Sequence, residues 1–132
     1  MTRHQMREAA FLLTFERIFS PDVPADEMVQ LAKECDEFEL SPQAIKLFEG
    51  VDEHRDELDQ VIEKYLKNWT IQRISKVSLA VLRLAVYEMK YMNTTHDIVI
   101  SEAVKLAQAY TLQDDVAFVN GVLASAAKGL AS

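Results

Sequence analysis

The sequence predicts an all-α fold: a compact single-domain bundle of five to seven helices spanning residues 1–132. Three observations carry this. Only three glycines and three prolines occur in 132 residues, and they fall where helices start or stop. Nowhere do β-branched and polar residues alternate long enough to make a strand. The stretch 74–92 is apolar on nearly every side, as expected of a helix enclosed by other helices.

Each element follows in order. Thr2 is a suitable N-cap for a first helix running to about Phe19, where Ser20-Pro21 stops it. Pro24 suits the first turn of a second helix reaching about Cys35. Ser41-Pro42 repeats the pattern of cap followed by proline and opens a third helical stretch, bent at Gly50, to about Leu66. The central helix occupies 74–92 and is broken by Asn93-Thr94-Thr95-His96-Asp97. A further helix runs from about Ser101 to Tyr110. Residues 111–115 form a loop, with Asp114 or Asp115 capping a last helix through Ala127. The expected core includes Val77, Val81, Leu84, Leu106, Val119, Val122 and Leu123.

Composition narrows the function classes. Apolar residues make up 49% and charged residues 27%, which excludes collagen-like, low-complexity and disordered chains. No run approaches the roughly 20 apolar residues that cross a bilayer, and the first ten residues lack an apolar signal core. A soluble, cytoplasmic protein without a membrane partner is expected. Cys35 is the single cysteine and has no internal disulfide partner, which suits a reducing compartment.

The net charge of −7 is unevenly distributed. Residues 22–63 hold fourteen acids against three bases, whereas residues 64–91 hold six bases against Glu88 alone. One acidic and one basic surface are expected, and the local field is what a charged partner meets first.

Catalysis finds little support among the residue types and spacings. His4, His54 and His96 lie in separate segments, none with a second ligand at metal spacing, and no glycine-rich phosphate loop exists. Cys35 sits between Glu34 and Asp36, whose charges oppose a thiolate. Glu49, Glu53 and Glu57 share one helix face at i, i+4, i+8 but read as solvated surface. No catalytic residue, metal or cofactor is expected.

At about 100° per residue, Arg3, Arg7, Ala10, Thr14 and Arg17 gather on one side of the first helix, away from Ala9, Leu12, Leu13 and Phe19. The helix N-terminus beside Arg3 and Arg7 favours an anion such as phosphate. Phe11 and Phe15 flank the stripe as stacking surfaces for an unstacked base. On this helix alone, a solvated face with two core phenylalanines is the favoured reading. Lys76, Arg83 and Lys90 form a second stripe at heptad spacing, placed either to hold phosphate or to reach the acidic 22–63 block. Glu88, inside an apolar run, must be paired, capped or partly exposed, because an unpaired buried carboxylate is costly. Trp69 reads as core or helix-junction packing rather than a base platform.

Three ordered motifs carry a resemblance. W-T-I-Q-R-I-S-K-V-S-L-A-V-L-R-L-A-V-Y-E from Trp69 to Glu88, I-S-E-A-V-K-L-A from Ile100 to Ala107 and F-V-N-G-V-L from Phe118 to Leu123 are similar in order and spacing to the NusB transcription antitermination family. The opening R-H-Q-M-R-E-A-A from Arg3 to Ala10 resembles that family's arginine-bearing first helix. The resemblance implies a NusB-like RNA-binding domain. It would bind the boxA segment of nascent ribosomal RNA as single-stranded RNA, together with the ribosomal protein NusE, within the transcription elongation complex. It implies no catalysis. By matching positions, the RNA surface would comprise Arg3, His4, Arg7, Phe15, Asp114 and Phe118. Asp114 would serve as acceptor for a base amino group or as the cap that sets Phe118 in place.

Three departures from the family pattern stand out. His4 and Gln5 interrupt a denser arginine cluster, which implies weak affinity for RNA alone. Ser78 stands where the family commonly has an acid that contacts NusE. Ser101 replaces an asparagine and would serve as a helix cap. Two other readings remain: the RNA-binding unit of a ribosomal-RNA methyltransferase, and a stand-alone interaction module that forms a homodimer or larger homo-oligomer.

Overall fold

A computed structural model describes residues 2–35 and 40–131 and contains seven helices among them. Asp36, Glu37 and Glu39, three of the acids in the 22–63 block, lie outside the described residues. The first helix, α1, spans Arg3–Phe19, and α2 spans Ala25–Cys35. Thr2 caps α1 reciprocally: its hydroxyl accepts from the Gln5 N–H, and the Gln5 side chain accepts from the Thr2 N–H. Two donors left open by helix geometry are thereby satisfied.

The expected long third helix is two. α3 (Pro42–Glu53) begins at the Ser41 cap with Pro42 in its first turn, and α4 (Arg55–Lys64) follows after His54. The break therefore falls at His54, whose ring Nδ1 lies 2.9 Å from the Gly50 carbonyl oxygen. Gly50 serves a different end: the Tyr87 hydroxyl lies against it where any Cβ would stand. The break at His54 divides the row Glu49, Glu53 and Glu57 between α3 and α4 instead of placing it on one helix, but all three are exposed, as the solvated-surface reading expected.

α5 (Lys76–Tyr91) starts at the Ser75 cap, whose hydroxyl accepts from the Ser78 N–H. It ends at Met92, and Asn93 then takes the left-handed conformation at φ 52°, a geometry asparagine tolerates better than most residues. α6 (His96–Tyr110) begins five residues before the expected Ser101, which is an exposed mid-helix residue and not a cap. The Ile98-Val99-Ile100 run is a poor helix former by propensity, but Val99 is 1% exposed, and tertiary burial overrides so weak a preference. α7 (Gln113–Ala131) starts with the Leu112 carbonyl accepting from Val116. Asp114 and Asp115 thus lie in its first turn instead of capping it. The helix also continues past Ala127 through Gly129, which the Tyr65 hydroxyl contacts closely.

α5 is the enclosed helix, packed by α1, α3, α4, α6 and α7. Val81, Leu84, Leu106, Val119, Val122 and Leu123 are buried as expected, while Val77 is only half-buried at the rim. A second cluster of Leu13, Met28, Val29, Ala32 and Phe48 ties α1, α2 and α3 together. No described helix is long and apolar enough to cross a membrane.

Candidate nucleic-acid interface

The arginine stripe of α1 turns mostly inward. Arg7 is 5% exposed, and its Nε lies 3.0 Å from both carboxylate oxygens of Glu88, which is itself 2% exposed. This is the partner that Glu88 requires. Ala10 and Thr14 are buried on the same side, with the Thr14 hydroxyl donating to the Ala10 carbonyl at 2.8 Å. Arg17 is bound to Asp52 at 2.8 Å and donates to the backbone carbonyls of Ser20 and Val23. The exposed basic stripe is therefore corrected. This side carries one alanine, one threonine and arginine stems long enough to reach acids on α5 and α3, and so it packs. Arg3 remains exposed, with no ion-pair partner among the described residues.

His4 stands beside α6, its Nδ1 2.8 Å from Glu102 Oε2. Burial pushes the Glu102 carboxyl up, but the His4 hydrogen bond and the charges of Lys105, His4 and Arg7 outweigh it and hold the group below its ordinary value of 4.5. A carboxyl depressed in the folded state contributes stability above its unfolded pKa and loses it as pH falls through the folded one. Acidification below about pH 4.5 is expected to loosen the α1–α6 clasp. In urea titrations at a series of pH values, Glu102→Gln should flatten the acid limb of stability; an unchanged limb would assign it to other carboxylates.

The second basic stripe resolves in the same way. Arg83 makes a two-pronged contact with Asp59 at 2.8 Å, and Lys90 reaches Glu57 at 2.7 Å. The Lys90 hydrogen bond lowers the Glu57 pKa, and Glu57 in turn pushes the Tyr91 hydroxyl up to about 12. These cations reach the acidic block, one of the two placements the sequence allowed. Lys67, Arg73 and Lys76 have no carboxylate partner among the described residues.

Phe15 is half-buried in a row of rings: Tyr110 to Phe11 at 4.9 Å, Phe11 to Phe15 at 6.1 Å and Phe15 to Phe19 at 5.1 Å. Phe11 is core. Asp114 and Phe118 stand one helical turn apart on α7 and border a hollow of about 460 Å³, together with Trp69, Arg73 and a second acid, Asp115. Asp114 is exposed and without a partner among the described residues, so it sets no cap and its oxygens are free to accept. Trp69 is 52% exposed, which corrects its reading as packing. Charge patterning alone missed this junction, since its cations are few; its signal was the pairing of an aromatic with lysines and arginine across 65–76.

Ser78 is fully buried in the first turn of α5, and its hydroxyl has no hydrogen-bond partner among the described residues. A surface contact through that side chain is corrected: Ser78 faces inward from an enclosed helix. Cys35 is exposed. Among the described residues no group of His, Cys, Asp and Glu is arranged to hold a metal ion.

Fold and surface define the class: an all-α bundle around one enclosed helix, offering an exposed tryptophan, a half-buried phenylalanine and cations without a carboxylate partner among the described residues at one helix junction. The NusB family model matches residues 4–128, and the chain belongs to the NusB family. It is 36% identical over 131 residues to the transcription antitermination protein NusB of Pediococcus pentosaceus, covering 97% of this chain and 98% of that one. The corresponding Nitratiruptor protein is also 36% identical, over 96% and 92% of the two chains. Among solved structures, T. maritima NusB superposes with a TM-score of 0.83 at 30% identity, over 97% and 92% of the chains. A structure of the antitermination factors NusB and NusE in complex with double-stranded RNA gives 0.82 at 28% identity, over 98% and 99%.

Proposed function

We propose that this protein is a transcription antitermination factor that binds boxA-type RNA of nascent ribosomal transcripts together with NusE, in the cytoplasm, as part of the elongation complex and without catalysis of its own. The observation that carries this reading is the hollow at Asp114 and Phe118, an aromatic ring and a free acceptor beside Arg73, in a chain whose relatives are named for antitermination. A relative crystallised with NusE and RNA supports the choice of partners. Arg3 adds a phosphate contact from α1. Arg7 leaves the set, because its guanidinium is held by Glu88.

Weak binding of RNA alone is part of the reading. The chain carries net charge −7, and Arg7, Arg17, Arg55 and Arg83 are tied to acids. NusE adds a second surface, and reciprocal linkage then requires each ligand to tighten the other.

The test is an anisotropy titration of labelled boxA-like RNA with and without NusE. Phe118→Ala is expected to weaken binding by about 1–3 kcal/mol with little change in salt dependence, as for a stacking contact. Arg3→Ala is expected to lower the salt slope by about 0.7, the value for one single-strand phosphate contact. A dissociation constant independent of NusE would defeat the coupling. Failure of RNA to bind in its presence would defeat the function.

A further inference from the structure

The connection between α4 and α5 carries the one tryptophan of the chain on its outside. The Trp69 ring stands edge-on to Phe118, with centroids 6.3 Å apart and planes at 70°. An edge-to-face pair leaves ring faces open on either side, unlike a stacked pair, whose inner faces are covered. The two rings form a shared wall between two hollows. One, of about 460 Å³, is bordered by Arg73 and Asp114. The other, of about 380 Å³, is bordered by Lys67 and Gly121. Both fall within the size range of small-ligand sites, about 300–1,000 Å³.

Charge and backbone point to the occupant. The first hollow is lined by one cation, Arg73, and two acids, Asp114 and Asp115, and the second by one cation, Lys67, and no acid. Neither Arg73 nor Lys67 has a carboxylate partner at bonding distance among the described residues, whereas Arg83 and Lys90 on the same basic segment are both tied to acids. Gly121 is in mid-helix, where glycine is unfavourable. A Cβ there would meet nothing within 4 Å, so neighbouring packing does not demand the glycine; its effect is to keep the second hollow open. An aromatic wall with a cation on each side matches the repeat of a single strand, one base and one phosphate per step.

We propose that Trp69 is a second stacking platform, so that Trp69 and Phe118 seat two successive unstacked bases of single-stranded RNA while Arg73 and Lys67 meet the flanking phosphates. The proposal rests on the RNA-binding reading above and extends it to a segment outside the set Arg3, His4, Phe15, Asp114 and Phe118. Stacking supplies affinity with little base preference, because every base has a π-face. Asp114, at the rim of the first hollow, supplies a hydrogen-bond acceptor for a base amino group.

The test uses the full chain with NusE and an end-labelled single-stranded boxA-like RNA, read by anisotropy and by Trp69 emission, with the Trp69→Phe variant as the blank for emission from NusE. Trp69 emission should change in step with anisotropy, and the same RNA in a full duplex should leave it unchanged. Trp69→Ala should weaken binding about five- to a hundredfold with the salt slope intact, and Trp69→Phe should restore most of it. Arg73→Ala should lower the slope by about 0.7. Gly121→Leu, which fills the second hollow, should weaken binding without lowering the melting temperature. The emission readout uses the unaltered chain and so does not depend on any variant folding. If RNA binds by anisotropy while Trp69 emission stays constant and Trp69→Ala binds like the parent, the platform is overturned and the RNA-binding reading stands. Equal emission changes with duplex also overturn it. If no RNA binds with NusE present, both fall.

Discussion

Replacing Arg7 by alanine is expected to lower the unfolding free energy by about 3–5 kcal/mol, because it strands a buried carboxylate without its partner. Glu88 is 2% exposed, and the Arg7 guanidinium is the only cation that reaches it among the described residues. The cost belongs to the uncompensated charge rather than to the pair's own attraction. The double variant Arg7→Met with Glu88→Leu should therefore recover most of the loss, since apolar replacement of both members of a buried pair is often neutral or stabilising. Urea unfolding of the two singles and the double decides the matter. A loss below about 1 kcal/mol for Arg7→Ala would place the pair in the range of solvated surface bridges. This result also bears on function: weaker RNA binding by Arg7→Ala would report a damaged α1–α5 contact, and Arg3 is the cleaner probe of phosphate contact on α1.

Leu84→Ala is the second large expected loss, about 2–5 kcal/mol. Leu84 is 2% exposed and lies with Val81, Val99, Ala103 and Leu106 beside the Arg7–Glu88 pair. The cavity left by the missing isobutyl atoms would open next to two buried charges, so Leu84→Ala and Arg7→Ala should not add: sites that share a cavity couple, by about 0.5–3 kcal/mol. A change within about 0.5 kcal/mol for Leu84→Ala would be a surface value and would remove α5 from the centre of the fold. The measurement is the shift in urea midpoint at constant slope, which separates lost stability from an altered unfolded state.

Much was legible in the order of residues because it depends on near neighbours. The Thr2 and Ser41 caps, the stop after Phe19 and the enclosed character of residues 74–92 are set within one or two helical turns, and the structure reproduces them. So is the constraint on Glu88, one acid in an apolar run, to be paired, capped or partly exposed; the structure chose pairing with Arg7. The break at His54 and the early start of α6 at His96 were not legible. Tyr87 on α5 decides the fit at Gly50, and burial beneath neighbouring helices decides the helical state of Val99.

The arrangement of the candidate site shows the same division. The sequence by itself determined the family, the helical class and the basic 64–91 segment. Tertiary structure alone decided which cations are free. A helical wheel orders residues around an axis but does not say which side meets the rest of the protein. The Arg7 side of α1 faced α5, where Glu88 lies 81 positions away in sequence, and Arg83 faced Asp59 on α4. An arginine that finds an acid at bonding distance in a dry interface stays there, because both charges would otherwise be buried without compensation. Trp69 and Phe118, 49 residues apart in the sequence, came to share a wall only when α7 packed against α5 and α4, since contact between distant segments is a property of packing and not of local order.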